Sequence, residues 1–545
     1  MKLARRYAIL GALATVGSSF VSADNINPSK AFSIRCSNLP KSFQPDQKTT
    51  VLLAEFLPKG STIINPSSLP ECAITNTTIL ADICRLRLNV TTSSTSSTVM
   101  EAWMPADWSV KGRRFLMTGN GGLAGCIGFD DLNYYTSLGF ATAGHNNGHE
   151  GNTGLPFYNR PEVLKDYVFR ALLTATHVGK KAATHLYQQV VKNSYYIGCS
   201  TGGRQGLKAA QDFPEEFDGI IAGAPAHNWN NLMSAFAYYW KYVANQQNPL
   251  VMTADQWVAW RDEVIHQCDT IDGVADLVIE DPRKCRPRPE ARLCAPGQTW
   301  NSNKCFTSYQ VTFLRKLYEP FYGNNGTWLY PGFAPGDETI TSFWIQAAPP
   351  QLPIDWYRYA VLSDPNWTIE KDFDLDTADY NNAVDAFNIS TYKDLSKLKA
   401  SGHKLIQYHG LADGSLTYEG SDLYYESNVR RLGLPSAQMD KFYRYFPISG
   451  LSHCATGKGA WFIGAANQFF NSPASPAGIT GFDPAGGVVM SMVKWVEEGI
   501  APETILGRGV GADGKATSTK DHCKYPKKST YVGGDASKRT SWRCL

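Results

Sequence analysis

The chain has 545 residues, 43% of them apolar, enough for a large core and more than one folded unit. Its 52 basic and 49 acidic side chains leave a net charge of +3. This balance gives no electrostatic case for nucleic acid or an anionic membrane surface as partner.

The N-terminus places Lys2, Arg5 and Arg6 ahead of an apolar run from Tyr7 to about Val21. Val21-Ser22-Ala23 supplies the small residues a signal peptidase needs, so residues 1–23 read as a secretory signal. The run is shorter than the roughly 20 residues that span a bilayer, and no later segment is apolar enough to do so. A soluble, extracellular mature protein is expected. Cysteines stand at 36, 72, 84, 126, 199, 268, 285, 294, 305, 454, 523 and 544, an even number that suits disulfides. Local spacing suggests Cys268–Cys285, Cys294–Cys305 and Cys523–Cys544 and leaves the others open. No Cys-x-x-Cys pair favours zinc. Asn76, Asn89, Asn325, Asn366 and Asn388 begin Asn-x-Ser/Thr sequons, expected on exposed loops that accept glycans.

Residues 24–100 are mixed, with a β-prone piece at 50–56 and a polar tract at 91–98 that reads as a loop. From about 100 the pattern becomes strand, loop, helix. Residues 115–117 form a short apolar strand that enters the Gly-rich turn Thr118-Gly-Asn-Gly-Gly122. A strand at 139–143 precedes Gly144-His-Asn-Asn-Gly-His149. Pro161 opens a long helix, with Leu164, Tyr167, Val168, Ala171, Leu172, Ala175 and Val178 on one face. A strand at 195–197 feeds Gly198-Cys199-Ser200-Thr201-Gly202, followed by a helix through 207–211 and a strand at 219–222. The alternation stops near Pro225 and resumes at a strand over 405–408, then a strand at 442–446 and a helix at 487–495. Strands alternating with helices predict an α/β fold with a mostly parallel sheet covered on both faces. Residues 24–225 and 399–545 are assigned to that domain, and 226–398 to an inserted lid.

Gly-x-Ser-x-Gly between a strand and a helix is the nucleophile elbow of α/β-hydrolases. A serine hydroxyl needs a base, and the base needs a carboxylate to fix its tautomer. In this fold the chain order is Ser, acid, His. Asp413 follows the 405–408 strand and His453 follows the 442–446 strand, so Ser200, Asp413 and His453 are the candidate triad. His409 ranks below His453, because its loop already supplies the acid. His145 and His149 either line the pocket or satisfy local loop hydrogen bonds. Cys199, a rival nucleophile, is a poor free thiol in an oxidising compartment. Cysteines flank both Ser200 and His453, and a Cys199–Cys454 bond would staple nucleophile to base. The oxyanion of the reaction needs preorganised donors, expected from the N–H of Thr201 and from Gly121 and Gly122 in the glycine turn.

Asp269, Asp272 and Asp276 crowd one short segment, which suits either calcium or a solvated acidic loop; it lacks the EF-hand pattern. The insertion is rich in tryptophan. Most of these rings should be lid core and a few should reach the pocket, where they suit a flat aromatic group.

Taken together, Gly198-Cys-Ser-Thr-Gly-Gly-Arg204, Gly410-Leu-Ala-Asp413 and His453-Cys454 resemble the fungal tannase/feruloyl esterase family. Thr118-Gly-Asn-Gly-Gly122, Gly144-His-Asn-Asn-Gly148 and Cys268-Asp-Thr-Ile-Asp-Gly273 look like it too, so the resemblance covers nearly the whole mature chain. It implies an α/β-hydrolase fold with a large inserted lid, the Ser200-Asp413-His453 triad and a Cys199–Cys454 disulfide, with Cys36–Cys84 and Cys72–Cys126 as the remaining pairs. It also implies structural Ca2+ on the side chains of Asp269, Asp272 and Asp276 and the backbone oxygens of Val274 and Val278, with no organic cofactor. The implied activity is hydrolysis of feruloyl, p-coumaroyl and caffeoyl esters on plant cell wall polysaccharides such as xylan. Tannase activity on galloyl esters is the alternative, and an inactive secreted phenolic- or carbohydrate-binding protein and a protease are remoter ones. Membrane and nucleic-acid partners are not expected, and a homodimer is left open.

Overall fold

The structure is a computed structural model and describes residues 28–64, 72, 76–244, 251–390, 393–470 and 482–545. The expected signal, 1–23, lies outside the described residues. Nine strands build the central sheet: β1 (Thr49–Leu57), β2 (Ile83–Thr91), β3 (Ser97–Pro105), β4 (Arg114–Thr118), β5 (Ala141–His145), β6 (Asn193–Cys199), β7 (Gly219–Gly223), β8 (Lys404–Gly410) and β9 (Tyr443–Ile448). They lie in the order β1-β2-β3-β5-β4-β6-β7-β8-β9. Pairing is antiparallel from β1 to β5 and parallel from β5 to β9. With helices on both faces, this is the α/β-hydrolase fold.

Apolar side chains that alternate along the parallel strands cover both faces. In β6, Tyr195 and Ile197 point to one core and Tyr196 to the other; Ile221 and Ile220 divide in the same way in β7. One face packs against α1 (Pro28–Ser42), α3 (Ala171–Tyr187), α4 (Thr201–Asp212) and α7 (Tyr418–Leu432), the other against α2 (Phe129–Ser137) and α8 (Val488–Glu498). The helix expected from Pro161 is interrupted at 166–170 by a π-turn.

Two expectations change here. The polar tract 91–98 is a shorter loop, because Thr91 still pairs with Ser97 and only residues 92–96 turn the hairpin. Asn89 is not on an exposed loop: it lies half-buried in β2 opposite Thr50, because Leu86, Leu88 and Val90 continue the inward alternation past it. Asn76, Asn325, Asn366 and Asn388 are exposed.

Between the neighbours β7 and β8 run residues 226–398, whose only described strand pair, Phe321–Tyr322 with Trp328–Tyr330, stays apart from the main sheet. Helices α5 (Trp229–Ala244) and α6 (Ala254–Cys268) lie in this stretch. Its tryptophans divide as their chemistry suggests. Trp240, Trp257, Trp260, Trp356 and Trp367 are buried in a shared core, whereas Trp229 and Trp344 reach the cavity over Ser200. Six disulfides cross-link the chain: Cys36–Cys84, Cys72–Cys126, Cys199–Cys454, Cys268–Cys285, Cys294–Cys305 and Cys523–Cys544.

Candidate active site

Ser200 sits between β6 and α4 with φ +63° and ψ −122°, a left-handed backbone that a non-glycine residue adopts only where its surroundings force it. Gly198 and Gly202 make that turn possible. A Cβ on Gly198 would lie 2.6 Å from Tyr196 Oη and 2.7 Å from the Gly202 carbonyl carbon, and one on Gly119 would lie 2.7 Å from Gly202 Cα. Three glycine backbones therefore touch where β4 and β6 deliver their loops. The Ser200 amide donates to the Gly223 carbonyl at 3.0 Å, which anchors the elbow to the next strand.

In the 119–122 turn, the Gly119 amide donates to Ile197 O at 2.9 Å and the Asn120 amide to Gln205 Oε1 at 3.1 Å. Gly121 O accepts from the Ala124 amide at 2.9 Å. A trans peptide points its C=O and N–H in opposite directions, so this bond also sets the direction of the Gly122 N–H. The Gly122 carbonyl accepts from Thr201 Oγ1 at 2.9 Å and from Tyr167 Oη at 2.8 Å.

Asp413 is fully buried at the end of β8. Its Oδ1 accepts from the amides of Ser415 (2.9 Å) and Leu416 (2.8 Å), and its Oδ2 accepts from His453 Nδ1 at 2.8 Å. His409 Nε2 lies 3.2 Å from the same oxygen and 2.8 Å from Leu416 O; both are acceptors, so this nitrogen carries a proton. Burial alone would push the Asp413 carboxyl up. The charge that His453 carries once it is protonated and the hydrogen bonds of His409 and His453 outweigh it and hold the group far below the usual carboxylate range. Because Asp413 only accepts, His453 bears its proton on Nδ1 and keeps Nε2 free to take one. That Nε2 is 3.7 Å from Cys454 Sγ, whose disulfide leads straight to Cys199 beside Ser200.

Ser200, Thr201, Gly121, Gly122 and His453 all line one cavity of about 670 Å³. His145 and His149 do not. His145 accepts from the Asn147 amide, and His149 Nε2 donates to Leu123 O at 2.8 Å; burial pushes the His145 imidazole down to about 3, so it is neutral. Both hold their own loop.

Several supporting residues carry no motif of their own. Gln205 ties the Asn120 amide to Asn147. Arg204 is fully buried and donates to the carbonyls of Val168 (3.2 Å) and Tyr167 (3.4 Å), which belong to the π-turn. Ser452 Oγ donates to Asp337 Oδ2 at 2.8 Å, and Thr341 Oγ1 donates to Gly414 O at 2.9 Å, so the insertion braces both the histidine turn and the acid loop. Such long-range partners leave no periodic or spacing signal to read.

In the aspartate loop, Asp272 Oδ1 accepts from the Val274 amide (2.9 Å), and Asp269 Oδ1 from the amides of Asp276 (3.3 Å) and Val278 (3.2 Å). Among the described residues, no three His, Cys, Asp or Glu side chains form a group that holds a metal as they stand. The donor chemistry nevertheless suits a hard cation. Asp272 Oδ2 is buried with no hydrogen-bond partner, and burial, with the charges of the neighbouring aspartates, pushes the Asp272 and Asp276 carboxyls up against the pull of Lys520.

A strained serine at a strand-to-helix turn, an Asp–His pair on the following strand ends and a turn with glycine amides over the same cavity are the parts that a serine ester hydrolase of the α/β class requires. Residues 84–545 match the family model described as "Tannase and feruloyl esterase", and the chain belongs to that family. It is 42% identical over 540 residues to "Probable feruloyl esterase B" of Emericella nidulans, covering 97% of this chain and 98% of the relative. "Probable feruloyl esterase B-1" of Aspergillus flavus is 41% identical over 500 residues, 91% of this chain and 92% of the relative. Among solved structures, feruloyl esterase B from Aspergillus oryzae superposes with a TM-score of 0.88 at 39% identity, covering 94% of this chain and all (100%) of that one. Tannin acyl hydrolase from Aspergillus niger superposes with a TM-score of 0.72 at 20% identity over 94% of each chain, a likeness of fold.

Proposed function

We propose that the protein is a secreted feruloyl esterase that cleaves hydroxycinnamate esters from plant cell wall polysaccharide. The observation that carries this reading is full-length similarity at about 40% identity to relatives named feruloyl esterase B. The cavity agrees with it: Trp229, Phe236 and Trp344 of the insertion offer aromatic faces to a flat acyl group. Six disulfides suit an oxidising, extracellular setting.

In the mechanism, Ser200 Oγ bonds to the ester carbonyl carbon as His453 Nε2 takes its proton, and Asp413 orients and stabilises the imidazolium. The carbonyl electrons move to the oxygen, where the amides of Thr201 and Gly122, with Gly121 beside them, meet the charge. The C–O bond to the alcohol breaks and the alcohol leaves with the proton from His453. Water then attacks the acyl-enzyme, His453 takes its proton, and the phenolic acid departs as Ser200 regains a hydrogen.

Purified protein assayed on methyl ferulate, methyl caffeate and methyl gallate is expected to prefer the hydroxycinnamates, and Ser200→Ala to lose on the order of 10⁵ in kcat. Preference for the gallate ester would make it a tannase, and an active Ser200→Ala variant would refute the triad.

Calcium is proposed at the loop of Asp269, Asp272 and Asp276, with the carbonyls of Val274 and Val278. When bound it would supply charge neutralisation for the clustered carboxylates and take no part in the chemistry. Chelator treatment should lower the unfolding midpoint by several degrees and calcium should restore it. An unchanged midpoint would mean a solvated acidic loop.

A further inference from the structure

The cavity has two unlike walls. The insertion contributes an apolar one, with Trp229, Leu232, Phe236 and Leu352. To the same lining the hydrolase domain contributes Asp131 and Tyr135 from α2 and Tyr408 from β8. None of these three has a place in the triad or the oxyanion site.

Part of their hydrogen-bonding capacity is unspent. Tyr408 is 1% exposed, and its hydroxyl is buried without a hydrogen-bond partner. Tyr135, also 1% exposed, accepts from the Ala466 amide at 3.0 Å, which leaves its own proton to give. Asp131 takes part in no ion pair among the described residues, and its nearest charged neighbour in effect is another acid, Asp130. A buried phenol without a partner is costly in a fold unless something else satisfies it, and the half-buried carboxyl of Asp131 lines the same cavity.

The three groups act on one another. Burial, and behind it the charge of Asp131, pushes the phenols of Tyr135 and Tyr408 up, so both remain protonated donors. Burial and the Asp130 charge push the Asp131 carboxyl up to about 7. Glycines clear the space that the oxygens occupy. A Cβ on Gly223 would lie 2.3 Å from Tyr408 Oη, and a Cβ on Gly128 would lie 2.8 Å from Asp131 Oδ2.

We propose that Asp131, Tyr135 and Tyr408 form a subsite that binds a ring hydroxyl of the phenolic acyl group. The choice of acyl group over alcohol follows from burial. The alcohol is attached to a polymer and must lead out of the cavity, whereas Tyr135 and Tyr408 are closed off from solvent. Only the free end of the ester, its phenol ring, can come to rest there. The ring lies against the apolar wall, its hydroxyl gives its hydrogen to Asp131, and it accepts from the tyrosines. This inference rests on the esterase reading above and adds what the enzyme reads on its substrate.

The test measures kcat/KM on methyl p-coumarate, which carries the ring hydroxyl, and on methyl cinnamate, which lacks it. The comparison uses wild type, Tyr408→Phe and Asp131→Leu, with thermal unfolding as the folding control. Wild type should favour the p-coumarate ester at least about tenfold, because a polar site left unmatched discriminates strongly. In each variant the ratio should fall to within about threefold of one. If Asp131→Leu does not fold, Tyr408→Phe, which removes a single oxygen, carries the test. A wild-type ratio near one, or a ratio unmoved in the folded variants, overturns the proposal. So does a change seen only with a feruloylated sugar and not with methyl esters, which would place the sugar at this cluster. Failure of the esterase reading looks different: neither methyl ester is hydrolysed at all.

Discussion

The nucleophile half of the site and the acid–base half solve the same problem by different means. Around Ser200, position is set by backbone sterics: a positive φ, touching glycines and amides already committed to the scaffold. Around His453 it is set by side chains, with Asp413 shared between two histidines and the surrounding loops braced from the insertion by Asp337 and Thr341. A backbone solution tolerates almost no added atom. A side-chain solution can lose one bond and keep the others, so damage to the two halves should differ in size and kind.

The largest effect is expected for Gly198→Ala. Its Cβ would press on the Gly202 backbone and the Tyr196 hydroxyl, so the elbow must shift. Displacement of the nucleophile should cost at least about 100-fold in kcat/KM, measured on methyl ferulate. Near-normal turnover would show that the elbow is not held by glycine contact.

The disulfide joins the two halves, and its loss tests whether they need joining. Cys199 and Cys454 are 255 residues apart, so the bond closes a very long loop, worth about 5 kcal/mol in the chain-entropy model. Cys199→Ala with Cys454→Ala should lower turnover on the order of tenfold and folded yield by less. Equal loss of both would make the bond chiefly a folding device.

The smallest effect probes the brace under the acid loop. Glu338 is fully buried there, accepts from Tyr318 Oη at 2.8 Å and from the Gly336 amide at 3.1 Å, and burial pushes it up to about 7. Between the ordinary carboxylate range and pH 7 the folded chain keeps a proton that the unfolded chain releases. Stability therefore falls as pH rises through that window. Glu338→Gln removes the penalty. Its advantage should be near zero at pH 4.5 and on the order of 1–3 kcal/mol at pH 7.5, read from denaturant unfolding. A pH-independent difference would show that Glu338 does not titrate there.

Much of the nucleophile half was legible in the chain, because a glycine on either side of Ser200 and the alternation into β6 and α4 are local. Strand ends gave the loops of Asp413 and His453 for the same reason. Two β-prone boundaries slipped: the strand expected at 139–143 is Ala141–His145, and the 91–98 loop shrank when pairing continued across it. What was not legible is whatever depends on distant partners: Gln205 under the oxyanion turn, Arg204 capping the π-turn, and Asp337 and Thr341 of the insertion. Likewise, spacing suggested the three short-range disulfides and the cysteines beside Ser200 and His453 suggested Cys199–Cys454, but only resemblance to a family suggested Cys36–Cys84 and Cys72–Cys126.

The braces from the insertion have a consequence for how the enzyme meets an ester. A roof bonded to the acid loop and to the histidine turn cannot swing away without disturbing the imidazole it covers. The insertion is thus a standing part of the machine rather than a door. An ester has to enter the cavity over Ser200 as it stands.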